Sequence, residues 1–155
     1  MLTTFAEAGG TLLDTAAAYG HGEAERVIGG ELTHTDVPRS DLVIATKAGF
    51  VPRHGQRVVD TSRRALLADL DDSLRRLQTD WIDIWQVHAW GGEAPLAETL
   101  EAMDQAVRSG GKVRYIGLSN FIGWQTARAA TWQAAVPGRT PITSAQVEYS
   151  LLARR

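Results

Sequence analysis

Tyr19, Lys47 and His88 are the side chains of this 155-residue sequence best able to move a proton or stabilise a developing charge, and Asp14 is the carboxylate placed to serve them. Asp14 closes the apolar run Thr11-Leu12-Leu13, and Tyr19 lies five residues further on. Lys47 follows Leu42-Val43-Ile44-Ala45, and His88 follows the run from Ile82 to Val87. Lys47 is one of only two lysines, against 14 arginines. After a buried strand its charge needs a partner or a function, and Asp14 can be that partner. Two further runs end on polar residues: Lys112 to Gly117 leads into Ser119 and Asn120, and Ile142 to Val147 contains Gln146. Taken singly, each has a plainer reading: a snorkelling Lys, a hydrogen-bonded packing His, a Tyr wedged in a loop, a Ser-Asn helix cap. The functional reading gains weight because all of them fall at the same end of a repeated unit.

That unit is a strand followed by a helix, repeated at roughly 30-residue spacing. Five segments read as strands: the apolar runs 11–15 and 42–45, then 82–87, 112–117 and, after the breakers Pro137-Gly138 and Pro141, 142–147. The intervening helices are predicted over Glu23–Leu32, Thr61–Leu77, from about Leu96 to Gly110-Gly111, and over Gly123–Ala135. The second of these has Leu66, Leu70, Leu74 and Leu77 on one face and Asp60, Thr61 and Ser62 as candidate N-caps. Asp69, Asp71 and Asp72 are expected on its solvent face, and His21, His34 and His54 in solvated loops. Alternating strands and helices imply right-handed crossovers and a parallel sheet, as a doubly wound open sheet or a (β/α)8 barrel. The Gly-x-Gly-x-x-Gly fingerprint of the open dinucleotide fold is absent, because Gly20-His21-Gly22-Glu23-Ala24-Glu25 lacks the third glycine. The barrel is the better fit. In such barrels the chemistry lies at the C-terminal strand ends, where Asp14, Lys47, His88, Ser119, Asn120 and Gln146 occur.

Composition narrows the function classes. A net charge of -2 with dispersed basic residues gives no footprint for nucleic acid, and no stretch approaches the ~20 apolar residues of a membrane span. Zero Cys excludes disulfides, a thiolate nucleophile and Cys-ligated zinc, and makes a cytoplasmic setting the expectation. No His/carboxylate set has metal-ligand spacing, and neither Lys47 nor Lys112 sits in a P-loop. Any redox chemistry must come from an organic cofactor.

Five segments together carry a family resemblance: Asp14-Thr-Ala-Ala-Ala-Tyr19-Gly20, Ala45-Thr-Lys47, Asp83-Ile-Trp-Gln-Val-His88, Gly110-Gly-Lys-Val-Arg-Tyr-Ile-Gly117-Leu-Ser119-Asn120, and Gln146-Val-Glu-Tyr-Ser. In this order and spacing the chain resembles the aldo-keto reductases, NAD(P)H-dependent enzymes built on a (β/α)8 barrel. The resemblance runs from about residue 3 to the end and implies a single partial domain over 1–155. It implies that Asp14, Tyr19, Lys47 and His88 form a catalytic tetrad acting on a small carbonyl substrate. Ser119, Asn120 and Gln146 would hold the carboxamide of NADPH or NADH. Trp90 and the Gly49–Arg57 loop would line the substrate pocket. Hydride delivery to a carbonyl leaves an alkoxide that must be protonated as it forms. A Tyr hydroxyl, with a free pKa of about 10, needs a neighbouring cation to act as the acid, and Lys47 would supply it. Asp14 would fix the ammonium, and His88 would orient the carbonyl oxygen and help relay the proton.

Length sets a further expectation. A (β/α)8 barrel takes about 250 residues, and five strands are legible here where eight are needed. The resemblance implies that the family's first strand and two later ones, with loops that grip the cofactor phosphates, are not among these 155 residues. The chain by itself is therefore expected to be inactive, and its open sheet edges invite self-association. The other reading is a non-catalytic, cofactor-binding or regulatory member of the same fold.

Overall fold

A computed structural model describes residues 1–153 apart from Gly92. After a short helix α1 (Leu2–Glu7), the chain alternates β1 (Leu12–Asp14), α2 (Glu23–His34), β2 (Val43–Ala48), a hairpin of β3 (Phe50–Arg53) and β4 (Gln56–Val59), and α3 (Arg63–Leu77). It continues through β5 (Ile82–Val87), α4 (Leu96–Arg108), β6 (Val113–Ser119), α5 (Gly123–Ala134) and β7 (Ile142–Gln146). Strands β1, β2, β5, β6 and β7 lie in that order in one sheet, every pair parallel. The expected incomplete (β/α)8 barrel of five parallel strands is what the chain forms.

The helices form where the apolar period and the caps require them. In α3, Leu66, Leu70 and Leu77 are buried, the Ser62 hydroxyl accepts the Ala65 N–H, and Gln78 closes the helix in the left-handed conformation. In α4, Leu96, Leu100 and Met103 form the buried face behind Pro95. These side chains meet Ile44, Trp85, Val87, Ile116 and Leu118 from the sheet in one core cluster. Each fully buried aliphatic side chain contributes about 1.5–3 kcal/mol. The core therefore sits between sheet and helices, leaving the opposite face of the sheet for polar groups.

The sheet is strongly curled. Four intervals of about 4.8 Å would set β1 and β7 about 19 Å apart in a flat sheet. Instead Gln146 Nε2, at the end of β7, donates to Asp14 Oδ2, at the end of β1, at 3.1 Å. That contact links the two edges across 132 residues of sequence and brings the C-terminal strand ends into one mouth.

Three local expectations are corrected. The Gly49–Arg57 region, expected as a loop, contains β3 and the start of β4, with antiparallel pairs from Phe50↔Val59 to Arg53↔Gln56. His54 and Gly55, both with positive φ, make its two-residue turn, the geometry that short hairpins favour. Asp69 is not on the solvent face: it is half-buried, its Oδ2 accepts the Gly49 N–H at 3.0 Å, and burial pushes its pKa up. Ser119 and Asn120 do not cap the following helix, which starts at Gly123 with the Gln125 Oε1 accepting the Ile122 N–H.

Candidate active site

Lys47 is placed by the interior strand β2, paired on one side with β1 and on the other with β5. Its side chain is 1% exposed, so its ammonium must be met by acceptors. Lys47 Nζ donates to both Asp14 oxygens at 2.9 Å, to the Thr15 carbonyl at 2.8 Å and to the Tyr19 hydroxyl oxygen at 3.4 Å. The hydroxyl thus accepts from Lys47, and its own proton remains available on the exposed side, where Tyr19 is 41% accessible. The ammonium also stands 5.0 Å from the centre of the Tyr19 ring. The expectation of a surface Lys is excluded, and the Asp14 pairing read from sequence is present.

Tyr19 opens a 3-10 turn, Tyr19–Gly22, whose last three residues have positive φ: Gly20 at 56°, His21 at 55° and Gly22 at 87°. The backbone before it is tied to the sheet through Thr15 N to Ala45 O and Ala17 N to Lys47 O. His88 follows β5 directly, its amide donating to Ala48 O at 2.9 Å. Its ring packs edge-on against Tyr19, with centroids 5.8 Å apart, and against Phe50 of the hairpin at 4.7 Å. Burial, reinforced by the nearby Lys47 charge and opposed by Asp14, holds the imidazole pKa below its usual value. Nδ1 is buried without a partner among the described residues, so Nε2 is the nitrogen left to meet a ligand.

Beside this group stand the polar residues of β6 and β7. Ser119 and Gln146 are register partners, and Asn120, with φ 55°, donates its backbone N–H to Gln146 O at 3.0 Å. Asn120 Nδ2 donates to the His88 carbonyl at 2.9 Å and to Ser119 Oγ at 3.2 Å. One hydroxyl and two primary amides therefore gather at this end of β6 and β7, with Asn120 on the His88 carbonyl and Gln146 on Asp14, a donor and acceptor set that fits a carboxamide group. Trp90 is half-buried, stacked on Phe121 and edge-on to Trp124, with its indole N–H donated to Ala94 O.

Sequence reasoning brought Asp14, Tyr19, Lys47, His88, Ser119, Asn120 and Gln146 together, and all seven lie around one mouth. It placed Phe50 within the Gly49–Arg57 lining loop but missed the hairpin that sets the Phe50 ring against His88. It also missed Glu25, fully buried, whose carboxylate accepts from the Thr46 hydroxyl and from Arg76 Nε, both at 2.6 Å. A signal existed: Glu25 shares the helical face of Ile28 and Leu32, an acid where the period calls for an apolar residue. Among the described residues no group of three or more His, Cys, Asp or Glu could hold a metal, and no helix is long and apolar enough to cross a membrane.

Comparison with known proteins bears on the family and the fold. The profile of the Aldo/keto reductase family matches residues 1–155. The chain is 35% identical to the aldo-keto reductase YhdN of Bacillus subtilis over 93% of its own length and 41% of that protein. It is 31% identical to the aryl-alcohol dehydrogenase [NADP(+)] of Phanerodontia chrysosporium over 99% of itself and 42% of that protein. Among solved structures, the thermostable aldo-keto reductase Tm1743, crystallised with the inhibitor epalrestat, superposes with a TM-score of 0.79 at 36% identity, covering 96% of this chain and 48% of that one. The chain thus spans less than half the length of these relatives. With the family profile matched from end to end and the same fold in solved relatives, this chain belongs to the aldo/keto reductase family.

Proposed function

We propose that the protein carrying this chain is an NAD(P)H-dependent oxidoreductase that reduces an aldehyde or ketone to an alcohol, with Tyr19 as the acid. The observation that carries the reading is the buried Lys47 ammonium shared among Asp14, the Thr15 carbonyl and the Tyr19 hydroxyl. A cation at that position favours the phenolate that Tyr19 becomes when it gives up its proton. Asp14 and Thr15 keep the ammonium from turning away. His88, neutral near pH 7 because burial and Lys47 lower its pKa, donates from Nε2 and orients the carbonyl oxygen toward the Tyr19 hydroxyl. Ser119, Asn120 and Gln146 would hold the nicotinamide carboxamide. When bound, the nicotinamide supplies the hydride.

Phe50 and Trp90 support an aromatic lining for the substrate, and relatives named aryl-alcohol dehydrogenases make aromatic aldehydes the first substrates to try. The test is NADPH and NADH oxidation with a panel of aromatic and aliphatic aldehydes, using the longest product of the gene and this chain side by side. Reduction abolished by Tyr19→Phe supports the reading. Failure of the longest product to reduce any aldehyde with either nucleotide overturns it.

A further inference from the structure

Between Tyr19 and the start of α2 the backbone passes through three consecutive left-handed residues, and one of them, His21, is not glycine. Gly20 and Gly22 adopt this conformation freely, but His21 carries a steric cost there that its surroundings must offset. On the Tyr19 side the chain is held by Ala17 N to Lys47 O and Tyr19 N to Ala16 O, both at 3.0 Å. On the other side stands Glu25, in the first turn of α2 and fully buried. Its Oε1 accepts the hydroxyl of Thr46, itself 0% exposed and the residue before Lys47. Its Oε2 accepts Arg76 Nε from α3, and Arg76 reaches on to the Ser73 hydroxyl. Arg76 also covers the turn: a Cβ on Gly22 would meet its Cδ at 2.7 Å. A buried carboxylate with two charge-assisted or short hydrogen bonds to different elements is a costly arrangement to keep without a role.

We infer that Glu25, clamped between Thr46 and Arg76, is a positioning residue that holds the left-handed turn 20–22 and thereby keeps the Tyr19 hydroxyl against Lys47. The inference rests on the proposed role of Tyr19 only for its catalytic consequence. The geometry it explains exists without any reaction. Among the described residues, Tyr19 hydrogen-bonds through its side chain to the Lys47 ammonium and packs its ring on His88, while His21 is exposed and makes no side-chain hydrogen bond. Without the clamp the turn is free to relax toward ordinary backbone, and the hydroxyl withdraws.

The experiment measures amide hydrogen exchange and the nuclear Overhauser contact between the Tyr19 and His88 rings in the 155-residue chain, in wild type, Thr46→Val, Thr46→Ser and Glu25→Gln. Thr46→Val removes one bond to a charged group. It should speed exchange at Tyr19 and residues 20–23 by about ten-fold or more relative to the central β5 amides, a local opening rather than a global one. Thr46→Ser should restore wild-type protection. Glu25→Gln, which also removes the buried negative charge that faces Arg76, should exceed Thr46→Val and weaken the ring contact. Should Glu25→Gln not fold, Thr46→Val against Thr46→Ser decides alone. Exchange at Tyr19 rising only in step with β5, or an undiminished ring contact in a folded Glu25→Gln, overturns the inference. These readouts stand even if the wild type reduces no carbonyl, so the two proposals fail separately. Where reduction is measurable, Thr46→Val should lower kcat with KM unchanged, and a raised KM with intact kcat counts against positioning.

Discussion

The centre of the sheet and its two edges are built to different standards. Strands β2, β5 and β6 are each paired on both sides and backed by Leu66, Leu70, Leu100 and Met103, all buried. Strands β1 and β7 each have one partner among the described residues, and β1 is only three residues long. Yet the mouth draws on both regions: Lys47 and His88 come from or follow the centre, while Asp14 and Gln146 come from the edges and Tyr19 from the loop after one of them. The groups that must not move are on the stable strands, and the groups around them depend on contacts outside the sheet ladder. One such contact is Gln146 to Asp14, and another is the Glu25 clamp. In this molecule, stability and the placement of chemistry are separate problems solved by separate interactions.

The sharpest way to break that comparison is at the edge. Tyr19→Phe should lower carbonyl reduction by about 10²–10⁴-fold while leaving NADPH affinity and the unfolding midpoint unchanged, because the side chain lies outside the core and its hydroxyl is proposed to act on the developing alkoxide. Steady-state kinetics, nucleotide titration and urea unfolding of one preparation check all three. A matching loss of stability would mean the two regions are not separable.

At the centre the order reverses. Met103→Ala, fully buried in the core cluster, should cost about 2–5 kcal/mol of unfolding free energy. Leu12→Ala, at a half-exposed edge position, should cost well under half of that. Urea unfolding of both variants measures the ratio, and equal costs would erase the distinction.

The edges themselves make a third test. With one side of β1 and of β7 unpaired among the described residues and Leu12 exposed, we propose that the 155-residue chain self-associates through these strands. Sedimentation velocity should show species larger than the monomer, and Leu12→Lys should shift them toward it. A wild-type monomer at all concentrations removes the proposal.

The smallest effect is in pH. The folded-state pKa of His88 lies below the usual value of about 6.5. Below pH 6.5 the unfolded chain therefore takes up a proton before the folded one, and stability falls with pH until the folded-state value is reached, then levels. Urea midpoints for wild type and His88→Gln between pH 7 and 5 should differ in slope, with the variant flatter. A variant slope equal to the wild type's would assign the dependence to other groups.

Much of this was legible in the residues. The leucine period of α3, the Pro95 entry to α4, the run of β5 and the Pro137-Gly138 and Pro141 breakers before β7 report local physics: burial on one face, a cap, a break. The pairing of Lys47 with Asp14 was legible for the same kind of reason, since a lone ammonium after a buried run has to be met by a carboxylate. Other features depended on which elements become neighbours. The hairpin was hidden because Phe50-Val51-Pro52-Arg53 has no clean alternation, and its turn is His54-Gly55 rather than a stronger signal such as Asn-Gly. Asp69 looked like a surface residue until that hairpin brought the Gly49 N–H to it. Glu25 looked like one more acid in the first turn of a helix, and only the packing of α2 on α3 and β2 turned it into a buried clamp. The sequence by itself determined the helices and the strands of the main sheet, and the motifs at their ends carried the family resemblance, because both are written within short stretches of chain. Tertiary structure alone decided the curl that joins Gln146 to Asp14, the aromatic wall on His88 and the clamp on the Tyr19 turn, because each is a contact between segments whose approach no local pattern encodes.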